Sequence, residues 1–324
     1  MSRLRIGLCT CLLVAGGCTP EVLGSPTPSA RVSSNSSAAT IDLQCRLPVE
    51  LRATDIPSGW ITFPGGRVST DPTGVVKPPP NSFFDVGPSY NWRFKRWVPV
   101  SWSAQSPDYS SYAYSATDGV HLVDVATGTD RVVGGTGTLF RTRSLIIVKF
   151  EPEGIYAEAT GGGLWRINPL TGTVEEILDQ GQWLAVGHGA AWGYTPATVG
   201  ASSLVRVDLR DASTAVWYTR APVLDVFGVD RAGRPVIAVA SNGSATAEVP
   251  MQIMVLTGPE EGDIVHPSPG PWNRAFFENS WRAPSDQHGV WIPWPDGIYL
   301  LSYTPTPRLT KVADGPALPA GVCN

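Results

Sequence analysis

Cysteine, methionine, histidine and lysine are all scarce in this chain, and each scarcity excludes something. Three methionines make no adaptable apolar surface. Four histidines, none in a His-x-His or His-x-x-x-His spacing, give no zinc signature. Lysine and arginine together number 24 against 28 acidic residues, and lysine accounts for only four of them, so no basic stripe is available for phosphates and no nucleic-acid partner is expected. No apolar run approaches the roughly twenty residues that a membrane-crossing helix needs. No Gly-x-Ser-x-Gly elbow surrounds any serine, and Gly161-Gly162-Gly163 lacks the lysine and hydroxyl of a phosphate loop, which leaves it as a turn. The composition names no cofactor and no nucleophile.

What the chain has in quantity is glycine (34), proline (30) and tryptophan (12). Frequent turns with large apolar packing groups between them suit an all-β protein. The stretch Asp118 to Val133, DGVHLVDVATGTDRVV, displays the unit: an alternating strand through Val120 and Leu122, a turn at Ala126 to Gly128, and a short returning strand. Aligned on the polar residue that ends the first strand, the unit recurs at Asp71, Asp124, Asn168, Asp208, Thr257 and Ser302. The spacings, between 40 and 53 residues, are those of β-propeller blades. An Asx or hydroxyl side chain there bonds the backbone just downstream while glycine supplies positive φ.

Ahead of the hairpins stand apolar strands (Leu145 to Phe150, Trp183 to Val186, Val223 to Val229) and glycine-bearing turns, among them EPEGIYAEA, GHGAAWGY, DRAGRPVIAVA and QHGVWIPW. Each period therefore holds about four strands, the content of one blade. The expected fold is an all-β propeller of four-stranded antiparallel blades over residues 40–324. Six blades fit the spacing best; a seventh requires a further blade hidden between Gly74 and Trp102, a stretch that reads as a loop plus a strand around Pro78 to Pro80.

The N-terminus reads as an address. Arg3 and Arg5, the apolar run Ile6 to Ala15 and the small residues Gly16 and Gly17 make the three regions of an export signal, residues 1–17. The junction Val14-Ala15-Gly16-Gly17-Cys18 resembles the lipobox of bacterial lipoproteins. That resemblance implies cleavage before Cys18 and acylation of its sulfur, with membrane lipid as the partner and an anchored position outside the cytoplasm. The alternative is an ordinary secretory signal with an incidental Cys18. Residues 18–39, rich in Ser, Pro, Thr and Ala, have no periodic apolar pattern and read as a tether. Removing residues 1–17 takes two arginines and leaves 22 basic against 28 acidic side chains. Cys9 and Cys11 leave with the signal and Cys18 carries lipid, so Cys45 and Cys323 remain at the two ends of the folded region. In an exported protein such a pair reads as a disulfide; two free thiols are the alternative, which a thiol count decides.

SWSAQSPDYSSYAYSATDGVHLVDVATG resembles the repeat of TolB-like propellers, with its Trp-Ser start, Pro-Asp turn, aromatic strand and final Asp-x-x-Thr-Gly. GGGLWRINPLTGTVEEI and VFGVDRAGRPVIAVA are similar to blades of six- or seven-bladed bacterial propellers. The whole chain also resembles a family of propeller lipoproteins with a CxLPV start and a P-x-G-x-C ending. These resemblances imply blade construction and carry no activity.

Candidate chemistry is sparse. His188-Gly189 and His288-Gly289 occupy equivalent turns and could share a face. Asp225, Glu278 and Asn279 are oxygen ligands that a channel could bring together around calcium. Trp165, Trp192, Trp217, Trp291 and Trp294 fall on strands and read as packing between blades, whereas Trp272 and Trp281, in the Pro- and Asn-rich segment 267–284, are the candidate exposed binding aromatics. The expected function is a monomeric, lipid-anchored, non-enzymatic module binding a protein, peptide or glycan; the alternative is a propeller lyase or metal-assisted hydrolase with its site in the central channel. Inward carboxylates and histidines favour the enzyme, small apolar walls the binder.

Overall fold

The computed structural model describes residues 42–52, 54–83, 87–134, 144–194, 203–241, 248–249, 251–266, 269–270, 272–273, 283–303 and 306–324. They form a six-bladed propeller. Blade I is closed by the two ends of the chain: its strands run, in order across the sheet, Ala317–Pro319, Arg46–Leu51, Ser58–Thr62 and Arg67–Thr70. Blade III (Leu145–Glu151, Gly154–Ala159, Leu164–Ile167, Val174–Leu178) and blade IV (Gln182–Gly187, Ala190–Tyr194, Leu204–Asp208, Thr214–Tyr218) are regular four-stranded meanders. Blade V (Val223–Val229, Pro235–Ala240, Met251–Gly258, Glu261–Ile264) and blade VI (Ser285–Asp286, Gly289–Trp294, Gly297–Ser302, Arg308–Asp314) repeat the plan.

Blade II departs from it. Three strands, Ser111–Ala116, Gly119–Asp124 and Asp130–Val133, are paired, and the innermost place is held by the 3-10 turn Trp102–Ala104 with a single bridge from Gln105 to Tyr112. The sequence expects a Trp-Ser strand start here. Side chains there are tied instead within the segment and to the preceding hairpin: Ser101 Oγ meets Ser103 Oγ at 2.9 Å, and Gln105 Nε2 donates to Ser89 Oγ at 2.8 Å while its Oε1 accepts from Asn91 Nδ2 at 2.9 Å.

The first strands of blades III, IV and V lie beside one another, whereas the fourth strands of blades I and V are exposed throughout, which gives the direction from axis to rim. Apolar clusters fill the gaps between neighbouring blades. Val120 and Leu122 meet Ile147 and Ile155 between II and III, and Tyr156 and Leu164 meet Trp183 and Val205 between III and IV. Trp192 faces Val226 and Ile237, Phe227 faces Val290 and Ile292, and Trp291 faces Leu47 and Ile61. Trp165, Trp192, Trp291 and Trp294 are buried on strands, as the sequence indicates, at about 2 kcal/mol or more of transfer free energy each.

Between blades I and II the gap is filled differently, by an inserted hairpin, Ser89–Asn91 with Arg96–Val98. The interval from Gly74 to Trp102 thus holds two short strands where one is expected. Tyr90, Trp92 and Trp97 pack on Trp60 in edge and tilted contacts, with ring centroids 4.5 to 5.7 Å apart. Asp71 sits at the base of this cluster, and its position corrects the alignment of the repeats. It follows the outermost strand of blade I and caps the 3-10 turn Pro72–Gly74, whereas Asp124, Asn168, Asp208, Thr257 and Ser302 stand at the ends of third strands or, in blade II, of its equivalent. Its carboxylate accepts from the indoles of Trp60 (2.8 Å) and Trp97 (3.0 Å) and from Thr73.

Cys45 and Cys323 form a disulfide, with Cα atoms 5.6 Å apart. The closure is also hydrogen-bonded: Arg46 N donates to Asn324 O (3.0 Å), Asn324 N to Arg46 O (3.2 Å) and Ala320 N to Pro48 O (2.8 Å). Asp286, buried in blade VI, receives Cys323 N (2.9 Å) and Trp291 Nε1 (2.6 Å) on one oxygen and His288 N (2.8 Å) on the other. One carboxylate thereby ties the last blade to the clasp.

Candidate functional site

The turns between the first and second strands of blades III, IV and V stand together on one side of the ring. Their sequences explain their tightness. In blade IV, Gly187 pairs with Ala190 across His188 (φ 52°) and Gly189 (φ 72°), a two-residue hairpin turn in which both central residues are left-handed. In blade V the Asp230 carboxylate accepts from Ala232 N (2.9 Å), Arg234 N (2.8 Å) and Arg234 Nε (2.8 Å), so this buried acid is consumed by its own turn.

These turns surround a recess of about 650 Å³. Its inner walls are small and apolar, with Val148, Ala185, Val186, Gly228 and Ala283 contributing. Charged groups from blades III and V, among them Glu151, Glu153 and Arg231, stand with His188 around it, and Trp102 of blade II forms part of the lining. Several of its charges are already engaged: Arg166 pairs with Glu175, and Arg210 with Asp208.

Lys149 is not. It lies on the innermost strand of blade III, and its Nζ stands 3.7 Å from the centroid of the Trp102 ring, a cation–π contact. Among the described residues, no hydrogen bond or ion pair engages the Lys149 ammonium or the Glu151 carboxylate. Burial lowers the Lys149 pKa to about 8 against the opposing influence of Glu151. Burial raises Glu151, and Glu153 adds to the rise, while Lys149 and His188 oppose it. The two side chains are separated by one residue, Phe150, which is buried on the opposite side of the strand. Lys149 and Glu151 therefore share the recess side.

Of the residues singled out from sequence, His188 lines the recess, while His288, in the equivalent turn of blade VI, stands edge-on to Trp291 with centroids 6.4 Å apart. Trp272 lies in the two-residue strand Trp272–Asn273, paired to Glu248–Val249, so its backbone belongs to a small ladder. Asp225 is on the first strand of blade V, where its Oδ1 accepts from Val226 N at 2.7 Å. Cys18, Trp281, Glu278 and Asn279 lie outside the described residues. Among the described residues, no group of three or more His, Cys, Asp or Glu side chains is placed to hold a metal ion. Sequence reasoning missed Lys149 and Glu151. The signal was a single lysine closing the run Leu-Ile-Ile-Val before Phe150, since a lone cation in an apolar innermost strand needs a reason to be there.

No family model matches the chain, and no curated protein matches it. Among solved structures it is similar to TolB from Acinetobacter baumannii, with a TM-score of 0.50 and 13% identity over 87% of this chain and 68% of that one. It is also similar to the dihydro-heme d1 dehydrogenase NirN (TM-score 0.49, 12% identity, 91% of this chain and 67% of that one) and to an oligogalacturonate lyase in complex with manganese (0.44, 13%, 79% and 70%). At these identities the likeness to TolB is one of fold alone. By strand order, closure and the clusters between its blades, the chain is a six-bladed β-propeller of antiparallel blades, four-stranded in all but the second.

Proposed function

We propose that this protein is an extracytoplasmic binding module, held at a membrane surface by an acylated Cys18 and the tether 18–39, which takes a segment of a protein, peptide or glycan into the recess. The observation that carries the binding part is the recess itself: small apolar walls deep inside and charged groups around them, a combination that accepts a ligand's body and orients its polar groups. The anchor rests on the lipobox-like sequence. Since a buried methylene contributes about 0.8 kcal/mol, two acyl chains suffice for stable attachment.

One experiment addresses both parts. The parent, Cys18→Ser and the rim-reversed double variant Arg231→Glu with Glu153→Lys are expressed in a bacterial host, fractionated, and purified for peptide and glycan arrays. The expected result is membrane attachment lost only in Cys18→Ser, and array binding lost only in the rim-reversed protein, with its thermal midpoint unchanged. Array signals that are equal in parent and rim-reversed protein, or absent from both, overturn the binding reading. Retention of Cys18→Ser in the membrane overturns the anchor.

A further inference from the structure

The recess contains a half-buried lysine that, among the described residues, has no salt bridge and has a carboxyl group beside it. We propose that Lys149 is a covalent capture site, where the amine condenses with an aldehyde or ketone group of a ligand to form an imine. The inference rests on the recess being a ligand site and adds the chemical class of the ligand: a carbonyl compound with an apolar or aromatic body.

Three observations carry it. Lys149 reaches a recess large enough for a ligand of small-molecule size. Its Nζ is held against the face of Trp102 and is engaged by no described acceptor, so the lone pair exposed on deprotonation is not tied to another group. Glu151, on the same side of the same strand, lines the same recess. The pKa of about 8 assists: against an ordinary lysine near 10.5, the free-amine fraction at neutral pH is about 300-fold larger. Desolvated lysines of this kind are the ones that form Schiff bases.

The step balances without an added reagent. The Nζ lone pair attacks the carbonyl carbon, and the carbonyl π electrons move to oxygen. Transfer of one ammonium proton to that oxygen gives the carbinolamine. The Glu151 carboxyl, whose pKa burial raises, donates a proton to the hydroxyl, which departs as water while the nitrogen lone pair forms the C=N bond. The protonated imine then returns a proton to Glu151. One water is released per carbonyl captured.

The chain supplies internal controls, because it has only three other lysines. Lys77 and Lys95 are exposed, and Lys311 is paired with Asp296 and Asp314 at 2.9 and 2.8 Å. The folded protein is incubated with 4-carboxybenzaldehyde and sodium cyanoborohydride between pH 6 and 10, and the reduced adducts are mapped by mass spectrometry. The expected result is that Lys149 is labelled first, at least tenfold faster than Lys77 or Lys95 at pH 7, with a rate that rises to half its maximum near pH 8. Glu151→Gln is expected to slow labelling of Lys149 while leaving Lys77 and Lys95 unchanged. Labelling of Lys149 no faster than the exposed lysines, or only in denaturant, overturns the proposal. Array ligands that bind while Lys149 stays unlabelled leave the binding reading standing and remove this one; labelling without any array ligand does the reverse.

Discussion

Removing the clasp between the chain ends isolates how much of the propeller's stability is topological. In the double variant Cys45→Ala with Cys323→Ala, a cross-link spanning 278 residues disappears. The chain-entropy relation assigns such a loop about 5.6 kcal/mol, as an upper figure because denatured chains retain structure. The native state keeps its ladder, since Val49, Glu50 and Leu51 still pair with Pro319, Leu318 and Ala317, and the Arg46–Asn324 backbone pair does not depend on sulfur. The loss therefore acts mainly by freeing the unfolded chain. At roughly 2.1 cal/mol/K per residue over the folded region, a loss of about 5 kcal/mol lowers the thermal midpoint by about 9 °C. Tryptophan fluorescence and far-UV circular dichroism during thermal unfolding measure it. The expected outcome is a midpoint lower by 5 to 10 °C (roughly 3 to 6 kcal/mol) with an unchanged native spectrum. A shift below about 1 °C refutes the entropic reasoning, and a lost strand signal before heating refutes the claim that the closing ladder persists without the bridge.

Two pH dependences follow from carboxylates and a histidine placed by the blades. At Asp71, burial raises the pKa, but bonds from Thr73, Trp97 and Trp60 outweigh it and hold the group at about 2. The folded value lies below the unfolded one of about 3.9, so its contribution of about 2 kcal/mol is present above pH 4 and fades as the pH falls towards 2. Asp71→Asn is expected to lose that amount at pH 7, measured by denaturant midpoint, and to show a flatter acid limb than the parent. His121 of blade II stands between Asp118 and Asp130 at 2.9 Å each and stacks on Tyr114. Burial lowers its pKa, yet the bonds to Asp118 and Asp130 prevail and raise it. Its contribution is therefore complete below the unfolded value near 6.5 and is lost as the pH rises through the folded value. His121→Gln is expected to remove this alkaline decline in urea midpoints between pH 6 and 9, and an identical decline in both proteins counts against the assignment.

Turn chemistry made the blades legible in the sequence. Asp124 Oδ1 accepts from Thr127 N at 2.8 Å, and Asn168 Oδ1 from Leu170 N and Thr171 N, so these side chains mark their turns by bonds confined to a few residues. The same locality misled at Asp71, where a turn-forming Asp-Pro-Thr-Gly caps a 3-10 turn beyond the outer strand. The disulfide was readable from the count of cysteines, and the two His-Gly turns from their glycines. The recess was not, because it joins side chains from blades II to VI whose proximity depends on ring closure. Lys149 meets Trp102 where blade II has a 3-10 turn in place of an inner strand, a substitution that no local pattern announces.

The placement of Cys45 has a mechanical consequence. It stands just before the strand Arg46–Leu51, the second strand of the blade in which the ring closes, so tension applied to the chain ahead of residue 42 reaches the disulfide before it reaches that strand. The load passes through sulfur to Cys323 and, by its amide, to Asp286 in the neighbouring blade. Pulling therefore stresses a covalent link and two blades together in place of unzipping one strand bond by bond, and a reduced protein should yield at a lower force than an oxidised one.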